Sequence, residues 1–127
     1  MARILLIGGG GHCTSVLDCV LGMGAYGDIA IIDKPDTGGR AIFGIPVIGT
    51  DDDLQRLHRA GWTDAFVSLG SIGNPLRRRV LYGQLREIGF SIPCIVDETA
   101  AVSGNARLEP GVFVGKNAVI NAGTHIG

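Results

Sequence analysis

The sequence predicts an α/β fold in which a small, open parallel sheet is followed by the first coils of a hexapeptide β-helix. Two observations support this prediction. Up to about residue 95, short apolar runs alternate with stretches whose apolar residues recur at helical spacing, as in a parallel sheet with crossover helices. From residue 96, a branched aliphatic residue recurs at every sixth position instead. We therefore expect two domains, residues 1–95 and residues 96–127.

The parallel sheet is predicted from four apolar runs and from the helices between them. The strands are expected at residues 4–7, 29–32, 65–69 and 92–96, and the helices at about residues 14–22, 50–60 and 75–88. Thr50 and Asp53 have the spacing of a capping box at the start of the second helix. Because ligands bind such sheets beyond the carboxyl ends of the strands, we expect the chemistry in the loops that follow the first three strands.

The repeat in the last third has one large and one small position in each unit. The large position holds Val96, Val102, Leu108, Val114, Ile120 and Ile126. The small position, two residues earlier, holds Cys94, Ala100, Ala106, Val112, Ala118 and Thr124. A period of six fits neither an α-helix nor a flat strand, whereas it fits a triangular coil in which the large side chains stack inward. The corners of this coil are predicted at Gly104, Gly111, Gly115, Gly123 and Gly127.

The repeat region is short for a β-helix. Three hexapeptides form one coil, so residues 96–127 supply fewer than two coils, whereas a solenoid needs about three stacked units and a cap. We expect the open apolar edge to be covered by a partner chain or by further coils of a longer protein.

Composition argues against several classes of function. A net charge of −1 and 18% charged residues give no electrostatic basis for binding nucleic acid or an anionic membrane. No apolar run reaches the length of a membrane span, and the N-terminus lacks the pattern of a signal peptide. Cys13, Cys19 and Cys94 are odd in number and lack metal-binding spacing, which indicates reduced thiols in a cytoplasmic protein without a metal site.

A run of four glycines, Gly8 to Gly11, joins the first predicted strand to the first predicted helix. Free N–H groups at a helix start favour an anion, and the missing Cβ atoms allow a phosphate to approach the backbone. The spacing is not that of a dinucleotide fingerprint, since Cys13 stands where the third glycine would be. The run indicates a phosphate-binding loop, with a simple tight turn as the alternative. His12 either donates to the ligand or only caps the helix.

Two further groups are expected near this loop. Asp33 ends the second strand, where an acidic residue commonly accepts hydrogen bonds from a ribose or a base; the alternative is a solvated turn residue. Gly73 and Asn74 follow the third strand and either complete the cleft or, in the case of Asn74, only cap the third helix.

Several motifs in a fixed order connect this chain with a known family. They are Leu-Ile-Gly-Gly-Gly-Gly-His, Ile-Ile-Asp followed by Gly-Ile-Pro-Val-Ile-Gly, Val-Ser-Leu-Gly-Ser-Ile-Gly-Asn with Arg78 and Tyr82 after it, and the hexapeptides. In this combination the whole chain resembles the sugar acetyltransferases of the sialic acid O-acetyltransferase and bacillosamine N-acetyltransferase type. The resemblance implies a Rossmann-like domain that holds a nucleotide-sugar, usually a UDP-sugar. It also implies a left-handed β-helix that forms homotrimers and binds acetyl-CoA between subunits.

The resemblance further implies roles for individual residues. The sugar-nucleotide site would comprise Gly10, Gly11, His12, Asp33, Gly73 and Asn74. Within it, Asp33 would contact the uridine. The family's catalytic histidine, which deprotonates the acceptor for attack on the thioester, lies about one coil beyond the last residue of this chain, as does most of the acetyl-CoA site. We therefore assign no catalytic residue, expect a chain truncated at its C-terminus, and expect His125 to point into solvent.

Three functions follow. The first is an acetyl-CoA-dependent N- or O-acetyltransferase acting on a nucleotide-linked or sialic-acid-like sugar, of which this chain covers the sugar-nucleotide domain and the first coils. The second is a non-catalytic nucleotide-sugar-binding module whose short solenoid serves oligomerisation. A dinucleotide-binding oxidoreductase is disfavoured, because hexapeptides stand where a second mononucleotide-binding half would be.

Overall fold

The computed structural model describes residues 2–34, 41–68 and 75–126. In these ranges a five-stranded sheet has the order β3-β4-β2-β1-β5, with β3 antiparallel to β4 and the other pairs parallel. Its strands are β1 (Ala2–Ile7), β2 (Tyr26–Ile32), β3 (Ala41–Ile42), β4 (Ile45–Gly49) and β5 (Asp64–Val67). The helices are α1 (Gly11–Met23), α2 (Leu54–Arg59) and α3 (Pro75–Ile88), with a 3-10 turn, Asp51–Asp53, before α2. The predicted α/β fold is confirmed.

β1 lies at the centre of the core and is buried on both faces. Leu5 and Ile7 pack with residues of α2 and α3, whereas Ile4 and Leu6 pack with residues of α1. All four side chains are at most 1% exposed, which explains why this strand is apolar without alternation. Because β1 leads directly into the glycine loop, this burial fixes where the loop begins.

One edge of the sheet differs from the prediction. The prediction of a sheet strand at residues 92–96 is wrong. Of the described residues in this segment, only Ser91 forms a bridge beside β5, and its partner there is Asp64. Pro93 has no N–H with which to extend this pairing. Residues 95–96 pair within the coil instead, so the chain leaves the sheet immediately after Ser91.

The opposite edge carries a hairpin that the apolar pattern does not predict. β4 pairs with β2 and with the short β3. Pro46 and Gly49 interrupt the apolar run of β4, and only Val47 is buried. The hairpin turn is Phe43-Gly44, and both residues have positive φ, +49° and +77°. This is the backbone of a type I′ turn, whose first position favours asparagine, aspartate or glycine.

Phe43→Asn is expected to stabilise the protein by about 1 kcal/mol, because phenylalanine is strained at positive φ and asparagine tolerates it. Urea unfolding followed by circular dichroism measures the change. The matched control is Phe43→Ala, which removes a ring that is 62% exposed but keeps a Cβ at positive φ. This control variant is not expected to raise the free energy of unfolding. Equal stabilisation by both variants would show that the exposed ring, and not the backbone, is the cause.

The predicted capping box before α2 is confirmed. The Thr50 hydroxyl accepts from the Asp52 N–H at 3.3 Å, and the Asp53 carboxylate accepts from the Thr50 N–H at 2.9 Å. The latter bond is the main reason why the pKa of Asp53 lies below its ordinary value. The box caps the 3-10 turn, which continues directly into α2.

Residues 95–126 form three pairs of two-residue parallel strands. The pairs are β6 (Ile95–Val96) with β9 (Phe113–Val114), β7 (Ala101–Val102) with β10 (Val119–Ile120), and β8 (Arg107–Leu108) with β11 (His125–Ile126). Each strand pairs with the strand three hexapeptides later, so one turn of the coil has three faces, as the six-residue period predicts. The large aliphatic side chains stack in register, for example Val96 on Val114.

The corners of the coil agree only in part with the predicted glycines. Gly111 and Gly123 have positive φ, +78° and +82°. The corner between them uses Asn117 at φ +58° and not Gly115, since asparagine also tolerates this conformation. Gly104 lies in a turn without positive φ, and Gly127 is outside the described residues.

The first face of the coil packs against the sheet domain. Ile95 and Phe113 occupy outward positions, yet Ile95 is fully buried and Phe113 half-buried in the cluster that includes α1. The outward residues of the other two faces are exposed: Ala101, Arg107, Val119 and His125. Tyr82 of α3 adds a second contact, its hydroxyl donating to the Gly111 carbonyl at 3.0 Å. The sheet domain and the coil therefore share a packed interface.

Candidate functional site

The glycine loop crosses the carboxyl end of the sheet between β1 and α1. Gly8 has φ +112°, which favours glycine, and its N–H donates to the Ile32 carbonyl at 2.7 Å. Its carbonyl accepts from the Ser68 hydroxyl at 2.7 Å. Gly10 is exposed and occupies the N-cap position of α1 without a side-chain cap. Within the described ranges no side chain caps the N–H groups of the first turn, so they are open to water or a ligand, and the helix dipole favours an anion there.

Asp33 lies directly against this loop. One of its carboxylate oxygens occupies the space that a Cβ on Gly9 would need, so the close approach depends on glycine at residue 9. The other oxygen accepts from the Lys34 N–H at 2.9 Å, and the Asp33 N–H donates to the Gly49 carbonyl at 3.1 Å. The structure therefore brings together the loop and the acid that the sequence singles out. That they bind a ligand stays a prediction.

His12 lies in the first turn of α1 and reaches the coil. Its ring meets the ring of Phe113 edge to face, with the centroids 5.5 Å apart. Partial burial, and to a smaller extent the positive charge of Arg78, lower the pKa of His12 below its ordinary value of 6.5. A neutral imidazole has one donor and one acceptor, so at neutral pH His12 can hydrogen-bond a ligand but does not attract it as a cation.

Cys13 and Ser68 lie beneath the loop. Cys13 is fully buried, and burial raises the pKa of its thiol, an effect that the neighbouring Ser68 partly offsets. The thiol therefore stays protonated, and Cys13 serves as a packing residue where a dinucleotide fingerprint would have glycine. Gly73 and Asn74, the remaining predicted site residues, lie outside the described residues.

The other two histidines lie apart from this loop. His58 packs its ring against Phe90, with the centroids 4.8 Å apart, in contact with the core on the α2 side of the sheet. His125 is exposed on the coil, as predicted, and its Nε2 lies 2.6 Å from Oε1 of Glu109.

Two kinds of feature are absent from the ranges that the structure describes. No group of three or more His, Cys, Asp or Glu side chains is placed to hold a metal ion. None of the described helices has the length and apolar character needed to cross a bilayer.

Two residues at the site escape the sequence-based prediction. Ser68 is a polar residue at the end of a buried apolar strand, and this contrast is the signal that could have found it. Phe113 is a large aromatic side chain at an outward position of the hexapeptide repeat, which indicates that something covers it. Both signals become specific only when the glycine loop is seen beside them.

The family follows from the sequence of the sheet domain. Residues 3–85, which include the glycine loop and Asp33, match the family described as PglD N-terminal domain. The chain belongs to this family. This match and the acetyltransferase structures described next confirm the predicted resemblance to the sugar acetyltransferases of the sialic acid O-acetyltransferase and bacillosamine N-acetyltransferase type. No curated protein matches the sequence.

Solved structures of acetyltransferases resemble this chain over its whole length. A histidine-to-asparagine mutant of perosamine N-acetyltransferase from Caulobacter crescentus, in complex with CoA and GDP-perosamine, is 35% identical with a TM-score of 0.88, over 100% of this chain and 58% of that one. PerB from the same organism, also with CoA and GDP-perosamine, is 35% identical with a TM-score of 0.87, over 100% and 57%. The acetyltransferase domain of PglB from Neisseria gonorrhoeae, in complex with acetyl coenzyme A, is 31% identical with a TM-score of 0.84, over 99% and 59%.

The likeness to these structures includes the coil as well as the sheet domain. The predicted combination of a Rossmann-like sheet domain with the first coils of a left-handed β-helix is therefore confirmed. The chain spans about 58% of the length of the first of these acetyltransferases.

Proposed function

We propose that this chain provides the nucleotide-sugar-binding part of an acetyl-CoA-dependent acetyltransferase that acts on a nucleotide-linked sugar. The observation that carries the proposal is the loop before α1, where exposed Gly10 and the uncapped first turn lie near the Asp33 carboxylate that touches Gly9. The loop supplies N–H donors for a diphosphate, and the carboxylate supplies an acceptor for ribose hydroxyls; a nucleotide-binding site needs both. The family match and the nucleotide-sugar complexes of two structural neighbours support this function.

The proposed site assigns a role to each group. Its residues are Gly10, Gly11, His12, Asp33, Gly73 and Asn74. The loop N–H groups bind the diphosphate, neutral His12 hydrogen-bonds the sugar nucleotide, and Asp33 accepts from the nucleoside. Residues 1–95 are proposed as the nucleotide-binding domain and residues 96–127 as the first coils of the acetyl-CoA-binding β-helix.

The proposed reaction is attack of an amino group of the sugar on the thioester carbonyl of acetyl-CoA. The C–N bond forms, the C–S bond breaks, a base takes the proton of the amine, and the coenzyme A thiolate is protonated as it leaves. None of the three histidines is proposed as that base. His58 packs beside the core, His125 pairs with Glu109, and His12 is assigned to the nucleotide. From the family resemblance we propose that the base belongs to a part of the family fold beyond these coils.

The nucleotide is proposed to be uridine diphosphate, on the strength of the resemblance to bacillosamine-type enzymes. Two structural neighbours hold GDP-perosamine instead, so UDP and GDP must be compared directly.

We further propose a cytoplasmic homotrimer that associates through the coil. The face formed by β7 and β10 presents a shallow groove that is lined by Ser103 and Asn121 as well as by apolar side chains, and in it Val119 is 68% exposed near Ala101. Burying such a face between copies removes apolar surface from water. Analytical ultracentrifugation distinguishes a trimer from the 13.2 kDa monomer. A single monomeric species at high concentration would contradict the trimer.

A second candidate is a non-catalytic module that binds a nucleotide-sugar. It is favoured by the placement of His58 and His125, neither of which lies at the loop. This candidate predicts binding without transfer. Because the base is proposed to lie beyond these coils, the chain alone is expected to release no coenzyme A under either candidate. Sustained release, detected with a thiol reagent in a mixture of the chain with acetyl-CoA and a UDP- or GDP-linked amino sugar, would exclude the binding module and would contradict the proposed position of the base.

Calorimetric titration with UDP, GDP and NAD tests the proposed site. One of the two diphosphates is expected to bind and NAD is not. Gly10→Ala is expected to weaken this binding at least about tenfold while leaving the fold intact. Gly10 has an ordinary negative φ, −82°, and nothing lies within 4 Å of the added Cβ, so only an approaching ligand would meet it.

Gly104→Ala is the matched control for Gly10→Ala. It also adds a Cβ in open space without positive φ, but in the coil. It is expected to bind the nucleotide as the wild type does. Binding of NAD alone would overturn the proposed function, and an unchanged affinity of Gly10→Ala would place the nucleotide away from the loop.

A further inference from the structure

Ser68 is a buried polar residue in an apolar part of the sheet. It follows Val67, the last residue of β5, and is 1% exposed. Its N–H donates to the Ile7 carbonyl at 2.9 Å, which continues the pairing of β5 with β1. Its hydroxyl donates to the Gly8 carbonyl at 2.7 Å. A buried hydroxyl costs free energy unless it is hydrogen-bonded, so the bond to Gly8 accounts for a serine at this position.

This bond holds a peptide that has little conformational preference of its own. Four consecutive glycines lack Cβ atoms, so the loop can exchange peptide orientations at low cost. The Gly8 N–H is held by the Ile32 carbonyl and the Gly8 carbonyl by Ser68, each at 2.7 Å. The first bond holds the peptide between Ile7 and Gly8, and the second holds the peptide between Gly8 and Gly9.

The orientation of this peptide matters for an anion. In a trans peptide the carbonyl and the following N–H point in opposite directions. Because the Gly8 carbonyl points to the buried Ser68, the Gly9 N–H points away from Ser68. An N–H turned this way, just before the uncapped start of α1, extends the set of donors that a phosphate can meet.

We propose that Ser68 is a positioning residue for the diphosphate: its hydroxyl holds the Gly8 carbonyl and so turns the Gly9 N–H toward the phosphate. The inference rests on the proposed function, since it specifies how that site takes its ligand. Without the hydroxyl, the Gly8 carbonyl loses its buried partner. The flexible peptide then rotates to satisfy it, and the Gly9 donor is lost.

The test compares nucleotides with nucleosides. UDP, GDP, uridine and guanosine are titrated into the wild type and Ser68→Ala, by calorimetry or by NMR shift changes. For the diphosphate that the wild type binds, Ser68→Ala is expected to weaken affinity about tenfold, whereas affinity for the matching nucleoside stays within about twofold. A role in folding alone would weaken both ligands equally or neither. Ser68→Cys, of similar size but with a weaker donor, is expected to lose affinity for the diphosphate by a smaller factor.

The outcomes separate this inference from the proposed function. If the wild type binds neither diphosphate, the proposed function fails and the inference fails with it. If the wild type binds a diphosphate and Ser68→Ala binds it equally well, the inference alone is overturned. Equal losses for nucleotide and nucleoside also overturn it. If Ser68→Ala does not fold, Ser68→Cys decides: full wild-type affinity for the diphosphate contradicts the role of the donor, and a selective loss supports it.

Discussion

Gly111→Ala is expected to lower the free energy of unfolding by about 3 kcal/mol, because two separate costs add. Gly111 has φ +78°, a conformation in which an L side chain is strained. It is also buried, and the hydroxyl and ring of Tyr82 fill the space that a Cβ would occupy. The new methyl group must push Tyr82 aside and disturb its bond to the Gly111 carbonyl. Urea unfolding followed by circular dichroism measures the loss.

Gly123→Ala is the matched control. Gly123 has nearly the same φ, +82°, but nothing lies within 4 Å of an added Cβ. Only the backbone cost of about 1 kcal/mol is expected there. In a double-mutant cycle, the cost of Gly111→Ala should fall to a similar value when Tyr82 is replaced by alanine. Equal losses for the two single glycine variants would show that Tyr82 moves aside freely and does not brace the coil.

Asp97→Asn is expected to lower the unfolding midpoint by about 5 °C or more, since it neutralises a buried anion that several donors surround. Asp97 is 3% exposed and its Oδ2 accepts from the Cys19 thiol at 2.9 Å and from Lys116 Nζ at 3.2 Å. Its Oδ1 accepts from the N–H and the hydroxyl of Thr99. The NH2 group of an asparagine must replace one of these two oxygens. In one orientation it directs a donor at the donors of Cys19 and Lys116, and in the other it loses the hydrogen bonds from Thr99.

The pH dependence of this effect has a defined sign. The hydrogen bonds from Cys19 and then Thr99 are the main reasons why the pKa of Asp97 lies well below its ordinary value. The ionised Asp97 therefore contributes fully to stability above about pH 5. This contribution is lost as the pH falls through about 4, the pKa in the unfolded chain, toward the lower pKa in the folded protein. Cys19 remains a donor throughout, because burial and Asp97 raise the pKa of its thiol to about 12. Thermal unfolding from pH 8 to pH 3 should show the difference between wild type and Asp97→Asn shrinking only at the acidic end.

Asp18→Asn is the control for Asp97→Asn. Asp18 pairs with the same Lys116 Nζ at 3.2 Å, but its side chain is 57% exposed. Exposed ion pairs contribute little to stability, so a change of at most about 2 °C is expected. If the two variants lost equal stability, the attraction to Lys116 and not the buried hydrogen-bond network would be the source of the effect. A difference that persists unchanged at pH 3 would show that Asp97 is not the group that titrates.

The elements at the centre of the sheet domain were predictable because their signals are local. β1 is apolar on both faces, and the glycines after it mark the turn into α1. The edges were less predictable. Pro93 ends the pairing beside β5, whereas Pro46 does not prevent β4 from forming at the other edge. Only the position of each strand in the sheet explains why the two prolines have different effects.

The candidate site shows the same division. Asp33 and the loop were predicted to meet because parallel strands bring their carboxyl ends to one edge, and Asp33 does lie against Gly9. Ser68 and Phe113 were not predicted, since each looks like an ordinary residue of its own segment. Their contacts with Gly8 and His12 join segments that are far apart in the chain.

The periodic parts of this protein follow from its amino-acid sequence alone: the buried strand before the glycine loop, and the hexapeptide repeat with its three faces per coil. Such patterns depend on residues that are neighbours along the chain. The tertiary structure decided which outward residues of the coil are covered, that Tyr82 fills the space at Gly111, and that the Asp97 carboxylate is buried. The Cys19 thiol and the Asp97 carboxylate that it contacts are 78 residues apart. A contact over that distance leaves no periodic signal, because it arises only when the sheet domain and the coil pack together.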